Sequence, residues 1–141
     1  MTLSTEYFDD GDGLLHYGSG ILTGREIIAS AEHDLQTVKG GLPLRYILVD
    51  MTDIEQLKAS SVEIREVAQI NIAMAKVVGV IGVALVAPQD TPFGMARMWE
   101  AFAHATAWHT RVFHDRPAAD LWLAAFRRGQ AIRAQEKSER I

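Results

Sequence analysis

The residues best placed to do chemistry are Asp50, at the end of the apolar run 46-YILVD-50, and the adjacent hydroxyls Ser60 and Ser61. A carboxylate at the C-terminal end of a buried strand stands where open α/β sheets gather ligands, and desolvation there can turn it into a general base. The same side chain can instead close an Asx-turn by accepting the backbone N–H of Thr52 or Asp53. No second titratable group lies at a recognisable catalytic spacing, so the turn is the first reading and the base the last. Ser60 or Ser61 opens a predicted helix, with Glu63 completing a Ser-x-x-Glu capping box worth about 1 kcal/mol. A phosphate at that point would meet the positive end of the helix dipole and add about −1.5 to −2 charges, opposed by Asp53, Glu55, Glu63 and Glu66. Capping therefore comes first and a phosphorylated switch second.

Other clusters are less specific. Asp9, Asp10 and Asp12 sit in 9-DDGDG-13, but a calcium loop needs further oxygen ligands and a glutamate at its twelfth position, so the segment reads as a turn. The five histidines show no His-Glu-x-x-His pattern; Glu100 and His104 share a helix face as a surface pair, half a metal site at most. Cysteine is absent, which excludes disulfides, a thiolate nucleophile and a cysteine zinc site. Neither a Gly-x-Ser-x-Gly elbow nor a phosphate-binding loop occurs, and 11-GDGLLHYGSG-20 and 18-GSGILTG-24 lack the dinucleotide-binding spacing. No metal and no cofactor is expected.

At 141 residues, 48% of them hydrophobic, the chain can build one core without staples. Its net charge of −4 argues against nucleic-acid binding, which needs a cationic stripe. The charge is uneven: 13 acids face 6 bases up to Ala96, whereas 5 acids face 8 bases from Arg97 on, which reads first as a solvated face of scattered arginines and second as a surface for an acidic partner. The start lacks the basic and apolar regions of a secretory leader, and the longest apolar run, 77-VVGVIGVALVA-87, is shorter than the roughly 20 residues of a spanning helix. A cytoplasmic protein without membrane insertion is the expectation.

The elements that must position these residues follow from periodicity and punctuation. Residues 3–8 and 14–19 flank the acidic turn as a hairpin. Thr23 and Glu26 form a capping box for a helix over 23–38, closed by Gly40, Gly41 and Pro43. A short covered strand spans 45–50, a loop carries the chain from Asp50 through Ser61, and a second helix runs to about Lys76. The most apolar strand occupies 80–87. Thr91 and Pro92 then start a third helix over 93–108, residues 111–113 form a strand, and Asp115 caps a last helix before a polar tail. Met95, Trp99 and Phe102 recur at i, i+4, i+7 beside Arg97 and Met98; this stripe reads first as core, then as a dimer interface or one wall of an apolar pocket. The order β-β-α-β-α-β-α-β-α makes an α/β domain with a largely parallel sheet and one antiparallel strand.

This order, together with 47-ILVDMT-52, 93-FGMARMWE-100 and 112-VFHDRPAADLWL-123, resembles the STAS domain superfamily, in its SpoIIAA-like branch that is also described as STAS/SEC14-like. The resemblance covers residues 3–125. It implies a binding module for anti-sigma factors or related partners, switched by phosphorylation of a serine at the start of the helix that follows a central strand. The matching positions are Ser60 and Ser61, where this chain reads Ala59-Ser60-Ser61-Val62 in place of an Asp-Ser-Ser/Thr-Gly motif. The SEC14-like likeness implies a lipid or other apolar small molecule between helices and sheet. The expectation is thus a STAS-like domain over 1–126 with a polar tail over 127–141, non-enzymatic, regulatory or protein-binding, and a homodimer. Its candidate surface comprises Asp50, Thr52 and Asp53 on the loop, with Phe93, Arg97, Met98, Trp99 and Phe102 on the third helix. A carrier or sensor of a small apolar ligand is the alternative, and an enzyme using Asp50 comes last.

Overall fold

The acidic turn reverses the chain because Asp9, Asp10 and Gly11 take positive φ (53°, 57° and 94°), conformations that Asp and Gly adopt more readily than branched residues. On either side of it, strands β1 (Leu3–Phe8) and β2 (Gly13–Thr23) pair antiparallel. A computed structural model describes residues 2–139, and from β2 onward strand and helix alternate. The elements are α1 (Gly24–Lys39), β3 (Tyr46–Lys58), α2 (Ser61–Val78), β4 (Gly82–Val86), α3 (Asp90–Phe102), β5 (His109–Phe113) and α4 (Arg116–Glu139). The sheet order is β1-β2-β3-β4-β5, with β2 to β5 all parallel.

That order decides the layers. Right-handed crossovers that always step to the next strand on the same side put their helices on one face, so α1, α2 and α3 pack together over the sheet with α2 in the middle. Only α4, which has no strand to return to, covers the opposite face. Period-two alternation then feeds two cores. Ile47, Met51, Val83 and Leu85 face the three helices, while Tyr46, Leu48, Ala84 and Val86 meet Ala119 and Leu123 of α4. The backbone approaches closely where Gly13 lies beside Tyr46 on the next strand; a Cβ at Gly13 would overlap the Tyr46 ring.

Four elements differ most from their expected extents, the first being β2, which runs to Thr23 rather than to residue 19. The segment expected to be a loop after Asp50 is strand: β3 continues to Lys58, paired with β2 as far as Thr23↔Lys58. Two bulges on β3 explain it. Tyr17↔Asp50 is followed by Ser19↔Asp53, and Gly20↔Ile54 by Ile21↔Gln56, so β3 gains one extra residue each time. Each bulge flips the inward parity, and burial falls on Met51, Ile54 and Leu57 rather than on alternate positions. The third helix ends at Phe102 rather than at residue 108, because a 3₁₀ turn at His104–Thr106 and left-handed Ala107 intervene. There Thr106 Oγ1 donates to Ala103 O at 2.7 Å and accepts from Trp108 N at 3.0 Å. Finally, α4 continues through the polar segment to Glu139.

Candidate functional site

β4 and β5 end together at Val86↔Phe113, level with Asp50 on β3, and several of the chemically interesting residues collect around that end. Asp50 points to the α4 side and is 6% exposed. One carboxylate oxygen accepts Thr52 N at 2.9 Å and Thr52 Oγ1 at 2.5 Å, and the other accepts Arg116 Nη1 at 3.1 Å. The expected Asx-turn to Thr52 is formed, and the ion pair adds a tie from β3 to the first turn of α4. Arg116 also donates to Asp120 at 3.0 Å; burial pulls its guanidinium down, and these two carboxylates outweigh that to hold it above the ordinary arginine range. With a cation and two donors already seated on it, Asp50 is arranged to hold two elements together rather than to take a proton from a substrate.

Phe93 stacks on His114 at 4.2 Å between ring centroids, so the start of α3 does lie at this same end of the sheet. Gln89, just ahead of α3, donates to Ile54 O at 3.2 Å and ties it to the extended part of β3. Asp53 accepts from the Tyr17 hydroxyl, which raises that phenol above its ordinary value. The remaining expected surface residues are not gathered there. Arg97 is exposed and pairs with Glu100 at 3.5 Å, while Phe102 lies under the Arg65 guanidinium at 4.8 Å. Met98 packs against the three-helix core, and Trp99 is buried in it, donating its indole N–H to Asn71 Oδ1 at 2.8 Å. Trp99 is therefore a core residue and not part of an exposed surface. Glu100 accepts from Thr110 at 2.7 Å and does not bond His104.

At the far end of the β2–β3 extension, two helices start side by side. Thr23 and Ser60 each cap a helix, and each capping box is complete, with Glu26 and Glu63 returning to the cap backbone. The register Thr23↔Lys58 sets them level, and Gly24 sits so close to Glu63 that an added Cβ would lie 2.6 Å from its carboxylate. The Thr2 hydroxyl and then the Thr23 backbone N–H lower the Glu26 carboxyl below its ordinary range. The serines divide. Ser60 Oγ is engaged with Glu63 N at 3.1 Å, whereas Ser61 is exposed at the first helical position beside Val62, which is 74% exposed.

Sequence reasoning missed one arrangement. His16 on β2 and Asp34 on α1 are both buried, with His16 Nε2 and Asp34 Oδ2 2.7 Å apart, and the other ring nitrogen lies 2.8 Å from the Thr5 hydroxyl. They line a partly open cavity of about 120 Å³ between the sheet and α1, α2 and α3, whose walls are otherwise mostly Leu, Ile, Val, Met and Trp. Trp99 contributes to it; Met98 and Phe102, named with it as pocket walls, do not. The volume lies below the roughly 300–1,000 Å³ of ordinary ligand pockets and does not favour a lipid carrier. Among the described residues, no group of three or more His, Asp or Glu converges as metal ligands, and no helix is long and apolar enough to cross a membrane.

No family model matches the chain, and no curated protein is significantly similar to it. Solved structures are. An uncharacterised DUF3478-family protein with a SpoIIAA-like fold from Shewanella loihica PV-4 superposes with a TM-score of 0.53 at 21% identity, over 86% of this chain and 91% of that one. The chain has the SpoIIAA-like fold. The anti-sigma factor antagonist SpoIIAA in its unphosphorylated form superposes with a TM-score of 0.54 at 11% identity, over 84% of this chain and 94% of that one. The resemblance to STAS domains drawn from residues 47–52, 93–100 and 112–123 thus holds at the level of architecture. Within this SpoIIAA-like domain, Ser60 and Ser61 stand at the start of α2, which follows the central strand β3.

Proposed function

We propose that this SpoIIAA-like domain is a regulatory protein-interaction module, non-enzymatic and cytoplasmic, working as a homodimer or with a protein partner. Its contact surface is the end of the β2–β3 extension with the start of α2, and Ser61 is the hydroxyl through which it is switched. The observation that carries this reading is the division of labour between the two serines: Ser60 Oγ is occupied by the cap, while Ser61 is exposed and, among the described residues, has no side-chain hydrogen bond. The neighbouring Val62 supplies exposed apolar area of the kind a partner covers. One protein of the same fold, an anti-sigma factor antagonist solved in its unphosphorylated form, supports the same class of role.

A phosphate on Ser61 would be drawn by the dipole of α2 and repelled by Glu63, so modification would strain the cap and recharge the surface together. The test is native mass spectrometry of the protein purified from its own host, with and without phosphatase treatment. One phosphatase-sensitive phosphate mapped to Ser61, with dimer content that changes on its removal, supports the proposal. An unmodified mass at every growth stage, in a protein that stays monomeric, refutes it.

A further inference from the structure

The cavity beneath the three helices contains one unmet demand. Asp34 is 4% exposed; its Oδ2 faces His16, but its Oδ1 is fully buried and has no hydrogen-bond partner among the described residues. The other buried polar side chains on the walls are occupied, and the remaining polar wall group, the Ser30 hydroxyl, belongs to a partly buried residue. His16 uses both ring nitrogens, and Asn71 takes the Trp99 indole on Oδ1 and places Nδ2 3.5 Å from Met74 Sδ. A buried acceptor left unpaired is costly, and native structures seldom tolerate one without a reason.

We propose that this cavity is a small-molecule site for a neutral, flat, mainly apolar compound of about benzene size that carries one O–H or N–H donor and gives it to Asp34 Oδ1. Size sets the first term: about 120 Å³ is comparable to the cavity of roughly 150 Å³ that takes up benzene in another protein, and far too small for a lipid. The walls set the second. Leu22, Ile47, Val67, Leu85, Trp99 and Trp108 favour an apolar body, and the one fully buried acceptor without a partner, Asp34 Oδ1, selects one donor. Charge sets the third, since an anion would be repelled by Asp34 and an ammonium would bring three donors where one can be met. Partly buried Leu3, Ile27 and Ser30 mark the rim, where β1 meets α1. This site is independent of the proposed contact surface at Ser61.

Phenol and toluene are the probes, because they match in shape and differ by a hydroxyl for a methyl. Each is titrated into the folded wild-type chain while the tryptophan indole N–H resonances are followed by NMR. The expected result is saturable shifts of the Trp99 and Trp108 signals, with phenol binding at least tenfold more tightly than toluene. The variant Ala96→Leu fills the cavity from a buried wall position on α3, an element that carries neither His16 nor Asp34, and abolishes both titrations while the fold is retained. Equal affinity for the two probes would overturn the role given to Asp34. No shift in the folded wild type, or a crystal of the phenol-soaked protein with water retained on Asp34 Oδ1, would overturn the site.

Discussion

Replacing Arg116 with methionine tests whether Asp50 is a structural anion. The Asp50 side chain is 8% exposed and is met by two Thr52 donors and the Arg116 guanidinium. Removing one partner of a fully buried pair costs about 3–5 kcal/mol, because the remaining charge is left in a poorly solvated place. Arg116 is 39% exposed, so water replaces part of what it supplied, and the Thr52 bonds remain. Discounted for that exposure, the expected loss is about 1.5–3 kcal/mol, or roughly 5–10 °C in Tm for a chain of this size. Asp50→Asn keeps the shape and the Thr52 N–H bond but turns a charge-assisted bond into a weaker one, a loss of about 1–2 kcal/mol. Because both changes remove the same interaction, the double variant is expected to fall short of additivity by about 1 kcal/mol. Urea unfolding of the four proteins at neutral pH measures all three quantities. An Arg116→Met variant within about 0.5 kcal/mol of wild type, or a strictly additive double variant, would refute the reasoning.

Other substitutions examine neighbouring parts of the argument. Ser60→Ala removes the α2 cap and is expected to cost about 1 kcal/mol, whereas Ser61→Ala stays within about 0.5 kcal/mol, both read from urea midpoints. Gly13→Ala drives a methyl into the Tyr46 ring and is expected to cost about 1–3 kcal/mol in the same assay. Burial, then the bond to Asp9, raises Tyr46 from 10.0 to about 12. A raised tyrosine contributes stability that is whole below its unfolded value and is lost as pH climbs toward the folded one. Unfolding free energies should therefore fall between about pH 10 and 12, with Tyr46 contributing at most about 2–3 kcal/mol, and Tyr46→Phe should remove that share of the dependence.

Local chemistry was legible in the residues. The capping boxes at Thr23 and Ser60, the Asp115 cap, the Asx-turn at Asp50 and the order of elements all depend on side chains a few positions apart, and all are present. What escaped was set by distant pairing. The second half of β3 carries Asp53, Glu55 and Gln56 and loses its period of two at each bulge, so it has the pattern of a polar loop until β2 is placed beside it. His16 and Asp34 stand 18 positions apart on a strand and a helix, and no spacing rule joins residues across that crossover. The stripe of Met95, Trp99 and Phe102 was legible as core, but the cavity beside Trp99 depends on how three helices settle on the sheet.

The uneven lengths of β3 and β4 have a mechanical consequence. At about 3.3 Å per residue, the 13 residues of β3 span roughly 43 Å and the 5 residues of β4 roughly 17 Å. Beyond Asp50 the β2–β3 pair therefore continues without β4 beside it, as a two-stranded extension whose Leu22, Ile54 and Leu57 stay in the core. Both α1 and α2 start from its tip. A load on either helix start is thus carried by the same two strands, which makes the anchorage of the two helices mechanically one.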